Sequence, residues 1–188
     1  TEHPHIELDV LDALSAHCID HIRSGRADMA IAATRVDTPE LTAEPFLTDA
    51  FYLVAQREHP LLSKPRLRPR DLLPFDFVNL SHNSSVRQYL DAALLPLKVR
   101  ALLEVDQLAT VMGMVRAGLG VSVVPALTLF HFQHPDVATR LLRWPGLQRS
   151  IYLIRRRDKR LSLAAQALHA HLMACRKPSG AATYRDFQ

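Results

Sequence analysis

The chain has 188 residues, of which 48% are hydrophobic and 22% charged, with a formal net charge of +4 at pH 7. That balance is ordinary for a soluble globular protein and is enough for one large domain or two small lobes. No uncharged apolar run approaches the roughly 20 residues of a membrane helix, and the start, Thr1-Glu2-His3-Pro4, lacks a basic region followed by an apolar stretch, so no membrane span and no signal peptide is expected.

Elements follow in chain order. Ile6–Val10 alternates apolar and acidic residues and predicts a strand. Asp12 is placed to cap a helix with Leu11, Leu14, Cys18 and Ile22 along one side. Gly25 closes that helix in the left-handed region, and Ala27–Ala33 follows as an apolar strand covered on both faces. After a polar turn at Pro39, Leu41–Gln56 predicts extended chain broken near Pro45 and Thr48-Asp49. His59 to Pro74 carries prolines at 60, 65, 69 and 74 and predicts a connector with a short turn at Arg70–Leu73.

A second unit follows. Phe75–Leu80 predicts a strand, and Ser84 or Ser85 caps a helix with Val86, Tyr89, Leu90, Ala93 and Leu94 at helical spacing. Val99–Glu104 predicts a strand and Asp106 the cap of a helix carrying Leu108, Val111, Met112 and Val115. Gly118 and Gly120 lead into strand Val121–Val124, which Pro125 ends, starting a short helix to about Phe132. Leu141–Arg143 and Ser150–Arg155 predict strands around a Pro145-Gly146 turn. The last helix spans Ser162 to Arg176, with Leu161, Ala165, Leu168, Leu172 and Cys175 inward, and the tail after Pro178 is expected to fray.

Two helix–glycine–strand joints, Ile22–Ala33 and Val115–Pro125, suggest two Rossmann-like α/β units. The expected division is 1–56 plus 152–188 as one lobe and 57–151 as the other, with Phe51–Gln56 and Ile151–Arg155 as a two-strand hinge. A ligand would sit beyond the carboxyl ends of the strands, in the crevice between lobes.

GRADMAIA at 25–32, PELTAEPF at 39–46, FYLVAQREHPL at 51–61, SSVRQYLD at 84–91 and AGLGVSVVP at 117–125 together resemble the effector-binding domain of LysR-type transcriptional regulators. The likeness covers nearly the whole chain in the family's order. It implies an α/β fold of the type 2 periplasmic-binding-protein kind, a small effector in the cleft, and a cytoplasmic homo-oligomer, a dimer or tetramer. It further implies DNA binding through a winged helix-turn-helix ahead of residue 1, and a first strand and helix of lobe I that also lie ahead of it.

The effector site is expected around Asn83, Ser84 and Ser85, where unpaired backbone N–H groups and the positive helix end favour an anion such as a carboxylate. Simple N-capping is the competing role for the two serines. Ala33 and Thr34 end a strand beside the expected crevice; Ser122 and Pro125 border the glycine joint; Arg87 and Arg35 are candidate counter-charges.

Other features carry less. Cys18 and Cys175 read as free thiols of a reducing compartment. The run Arg155 to Arg160 reads as a solvated loop rather than a phosphate site. His17 and His21 lack a metalloprotease glutamate and a third ligand, so no metal is expected. Gly118-Leu119-Gly120 has a helix before it and a strand after it, the reverse of a dinucleotide loop, so no cofactor is expected. No nucleophile motif points to catalysis. The leading function is effector sensing for a transcription regulator. A solute-binding protein for transport is the alternative, separable by an export signal in place of a helix-turn-helix, and an enzyme would need a titratable pair in the cleft.

Overall fold

The computed structural model describes residues 4–176 and 181–182. Among these, 4–47 with 150–176 form one compact unit and 48–149 with 181–182 form a second.

In the first unit, helix α1 (Ser15–Arg23) buries Ile19 and Ile22 against Ala32, Leu41 and Ile154. Asp12 does not cap it. Leu14 holds the cap position and no side chain bonds the helix N-terminus. Just upstream, Ile6–Val10 forms no strand, and Leu8 and Val10 are 60% and 75% exposed. Alternation supplies a face, but a strand also needs an edge to bond to, and this segment pairs with none among the described residues. Gly25 takes φ +73°, as a helix stop should. Strand β1 (Met29–Ala32) pairs antiparallel with β7 (Gln148–Arg156), Met29 opposite Arg155. It is shorter than expected and not covered on both faces, since Ile31 is exposed.

The last helix, α5 (Leu163–Ala174), is capped by Ser162, whose Oγ accepts the Ala165 N–H at 3.1 Å. Ala165 is buried, but Cys175 lies past the helix end and is exposed, not inward. Cys18 is half-buried and donates to the Ala13 carbonyl at 3.4 Å; burial, then the Asp12 charge, pushes its thiol pKa up. Four of the five cations of the basic run are paired: Arg155 on Glu44 (3.1 Å), Arg156 on Asp158 (2.6 Å), Arg157 on Asp37 (3.2 Å) and Lys159 on Asp28 (3.8 Å).

Strand β2 (Leu41–Gln56) starts in the first unit and ends in the second, without the predicted break at Pro45 or Thr48-Asp49. A strand can absorb one proline because it loses only one ladder N–H. Around β2 in the second unit lie β5 (Ser122–Pro125), with Phe51 opposite Pro125, and β6 (Val137–Leu141), with Tyr52 opposite Leu141. β6 ends at Leu141, where the strand expected at Leu141–Arg143 would begin, and Leu142 and Trp144 beyond it are buried in the core.

Strands β3 (Asp76–Leu80) and β4 (Arg100–Val105) run parallel, crossed over by α3 (Ser85–Leu94), and α4 (Leu108–Arg116) leads from β4 towards β5. Asp106 is not the α4 cap; Gln107 holds that place with no side-chain bond. Phe51, Leu53, Phe77, Val111, Val115, Val121 and Leu147 centre the core of this unit. Gly120 lets β3 and the β5 approach touch: a Cβ there would stand 2.6 Å from the Asp76 carbonyl oxygen. The Val121 N–H donates to that oxygen at 2.9 Å, and the Val78 N–H to the Val121 carbonyl at 2.9 Å. The proline-rich connector holds one short helix, α2 (Pro60–Ser63), and a 3-10 turn at Pro69–Leu72. No described helix is long and apolar enough to cross a membrane.

Candidate functional site

The second unit gathers donors at the N-terminus of α3. Strand β3 ends at Leu80, and a short loop turns the chain so that Ser84 sits at the cap, with φ −74° and ψ 132°. Its Oγ accepts the Val86 N–H at 3.2 Å, so Ser84 serves the helix itself. Ser85 is free of that duty. Its Oγ lies 3.4 Å from Nη1 of Arg149, at the start of β7.

Arg149 is held from behind. Its Nη2 donates to Oδ2 of Asp49 at 2.8 Å, and Oδ1 of Asp49 accepts the Leu127 N–H at 3.2 Å. Asp49 is 0% exposed and the Arg149 side chain 11%. Burial pushes the Asp49 carboxyl pKa up; the Arg149 charge and hydrogen bond and the N–H groups of Leu127 and Ala126 pull the other way. Arg149 Nε is buried and has no hydrogen-bond partner among the described residues. The corner therefore presents a hydroxyl, a guanidinium anchored by an internal carboxylate, and the N-terminal turn of a ten-residue helix, of which Ser84 takes the Val86 N–H. All three favour an anionic oxygen.

The predicted site residues divide. Ser84 and Ser85 stand at this corner, and Pro125 is two residues before Leu127, whose N–H binds Asp49. Asn83 is exposed in the turn ahead of the cap. Ser122 is buried on β5 opposite Val54, inside the core rather than on a rim. Arg87 is consumed by structure: its Nε pairs with Asp91 at 2.8 Å, its Nη1 lies 3.5 Å from Glu104 and also donates to the Leu80 carbonyl. Ala33, Thr34 and Arg35 belong to the first unit, after β1; Arg35 is exposed and 4.0 Å from Asp37.

Asp49 and Arg149 were not among the expected site residues. Their separation of 100 residues hides the pair. One signal was present: Asp49 is the lone acid in the otherwise uncharged stretch 45–56. A carboxylate among buried strand residues needs a cation or a proton. Among the described residues no group of three or more His, Cys, Asp and Glu side chains is placed to hold a metal.

The family model described as LysR substrate binding domain matches residues 1–175. The chain belongs to this family. It is 28% identical over 173 residues to the uncharacterized HTH-type transcriptional regulator YbhD of Escherichia coli (strain K12), covering 91% of this chain and 55% of that protein. The chain spans about half the length of the curated relatives it matches. Among solved structures, the CcmR regulatory domain of Synechocystis PCC6803, in complex with 2-PG, superposes with a TM-score of 0.82 at 22% identity, covering 94% of this chain and 86% of that one. The effector-binding domain of QuiR, in complex with shikimate, gives a TM-score of 0.75 at 20% identity, covering 86% and 78%. The α/β fold is thus that of LysR effector-binding domains.

Proposed function

We propose that this domain senses a small organic acid for a LysR-type transcription regulator, with the acid's carboxylate held at the α3 N-terminus by Ser85, the first-turn N–H groups and Arg149. The observation that carries the reading is Arg149 itself, fixed by Asp49 at 2.8 Å, within 3.4 Å of Ser85 Oγ, and with a buried Nε still unbonded. Two proteins of the same fold hold small molecules, shikimate in one and 2-PG in the other, which supports a ligand of this size. The matches are to regulators, which favours this reading over a solute-binding protein of a transport system and over an enzyme. The same reading makes the regulator a cytoplasmic homo-oligomer that contacts DNA through a helix-turn-helix outside this sequence.

Isothermal titration of the 188-residue chain with shikimate and a panel of mono- and dicarboxylates tests the reading. At least one acid is expected to bind, and Ser85→Ala to weaken it about tenfold, the worth of one charge-assisted hydrogen bond. If no acid binds, or if one binds Ser84→Ala and Ser85→Ala as tightly as the parent chain, the assignment is wrong.

A further inference from the structure

We propose that the strip from Lys64 to Arg70, with Arg143 beside it, is a contact surface for the phosphodiester backbone of duplex DNA. Residues 61–73 hold four cations, Lys64, Arg66, Arg68 and Arg70, and a single carboxylate, Asp71. That carboxylate is already spent. Its Oδ1 accepts Lys64 Nζ at 2.6 Å and its Oδ2 the Arg68 N–H at 2.7 Å. Arg66, Arg68, Arg70 and Arg143 are exposed and enter no ion pair among the described residues.

The contrast within the molecule is the argument. The denser run Arg155–Arg160 has a carboxylate within ion-pair reach of four of its five cations, all but Arg160 among the described residues, as a solvated structural surface does. The Lys64–Arg70 strip has nearly the same charge and leaves three of its four cations open.

The strip is also held still. Leu67, between Arg66 and Arg68, is buried, and its carbonyl accepts the indole N–H of buried Trp144 at 2.8 Å. That bond ties the strip to Trp144, whose chain neighbour is the exposed Arg143. Arg140 Nη1 donates to the Leu61 and Leu62 carbonyls at 3.0 and 3.2 Å, and its Nη2 to the Pro65 carbonyl at 3.4 Å. Pro65 and Pro69 fix their own φ. The backbone is therefore ordered before any partner arrives, which removes part of the entropy cost of binding.

The chemistry selects the partner. Protein interfaces centre on apolar and aromatic anchors and deplete charge at their core. None of the exposed large apolar side chains of the described residues falls within 61–73. No exposed aromatic is there to stack a base. Open guanidinium groups on a rigid backbone suit phosphate oxygens, read without regard to sequence. The proposal does not depend on the effector site.

Fluorescence anisotropy of the 188-residue chain with a short labelled duplex of arbitrary sequence, at about 50 mM salt and upward, decides the matter. The chain is expected to bind, more weakly as salt rises. Arg66→Glu with Arg68→Glu should lose at least about tenfold in affinity, and the slope of log K against log salt should fall by about 0.9 for each phosphate contact removed. Arg26→Glu with Arg160→Glu, the same charge change elsewhere, should stay within about twofold. Circular dichroism and the melting temperature check that each variant is folded; Arg66→Gln with Arg68→Gln replaces the reversal if it is not. Absence of binding at about 50 mM salt, an equal loss in the control pair, or equal affinity for poly-glutamate would each overturn the proposal, the last by assigning the strip to an acidic polypeptide.

Discussion

Asp49 and Arg149 stand 100 residues apart in the chain and 2.8 Å apart in the fold, the carboxylate wholly buried and the guanidinium nearly so. Such a pair is poor evidence of net stability, because both ions lose their water. Breaking it is another matter. Arg149→Met should cost about 3–5 kcal/mol, since it leaves a buried carboxylate uncompensated. Asp49→Asn with Arg149→Met together should cost less than that single change. Urea unfolding of the four proteins in the cycle gives the coupling; a double variant as unstable as the sum of the singles would mean the two groups do not interact.

The pair also has a pH signature. Burial, the largest influence, raises the Asp49 pKa above its ordinary value of 3.8, against the pull of Arg149. A carboxyl that holds its proton more tightly folded than unfolded binds more protons in the native state. Its contribution to stability is therefore complete below 3.8 and is lost as pH rises through the raised value. The unfolding free energy of the parent chain minus that of Asp49→Asn should fall as pH increases from about 4 towards neutrality. Asp71 behaves oppositely: its bond to Lys64 lowers its pKa, so its contribution is present above 3.8 and fades as pH drops through the lowered value. A difference curve for Asp49→Asn that is flat, or that rises with pH, would contradict the assigned direction.

The two adjacent serines should separate by role. Ser84 caps α3 through the Val86 N–H, so Ser84→Ala should destabilise by about 1 kcal/mol. Among the described residues Ser85 caps nothing, and its hydroxyl meets a long 3.4 Å contact from Arg149. Ser85→Ala should leave the melting temperature nearly unchanged and act on carboxylate affinity instead. Thermal melts alongside titrations distinguish them; equal destabilisation by both changes would mean that Ser85 is structural.

What the sequence revealed and concealed follows one physical line. Signals local to a few residues survived folding: Gly25 and Gly118 close their helices at positive φ, and Ser84 and Ser162 cap theirs. The five motifs carried the family, and with it the fold. Signals that need a distant partner did not. Ile6–Val10 alternates like a strand but pairs with no strand among the described residues, and Leu14 rather than Asp12 stands at the end of α1. Arg87 and Arg149 are equally arginine in the sequence. Asp91 is the local i,i+4 partner of the first, but only the fold adds Glu104 to it and leaves the second at the helix end beside Ser85. Half of the candidate site was thus a local matter of capping residues, and the other half a long-range charge pair.

Gly120 and Gly146 make the last test, because the two glycines are needed for different reasons. Gly146 has φ +78° and open space where a Cβ would go. Gly146→Ala should therefore cost only the left-handed strain, about 1 kcal/mol. A Cβ on Gly120 would meet the Asp76 carbonyl oxygen at 2.6 Å and its carbon at 3.0 Å, and both atoms are backbone. Relief requires β3 to move away from Val121, which stretches the two 2.9 Å bonds that join them. Phe77, at the centre of the core, would move with it. Gly120→Ala should cost about 2–3 kcal/mol, clearly more than Gly146→Ala. Urea midpoints at matched slope measure both; a Gly120→Ala chain as stable as Gly146→Ala would show that β3 and β5 are not packed as closely as these distances require.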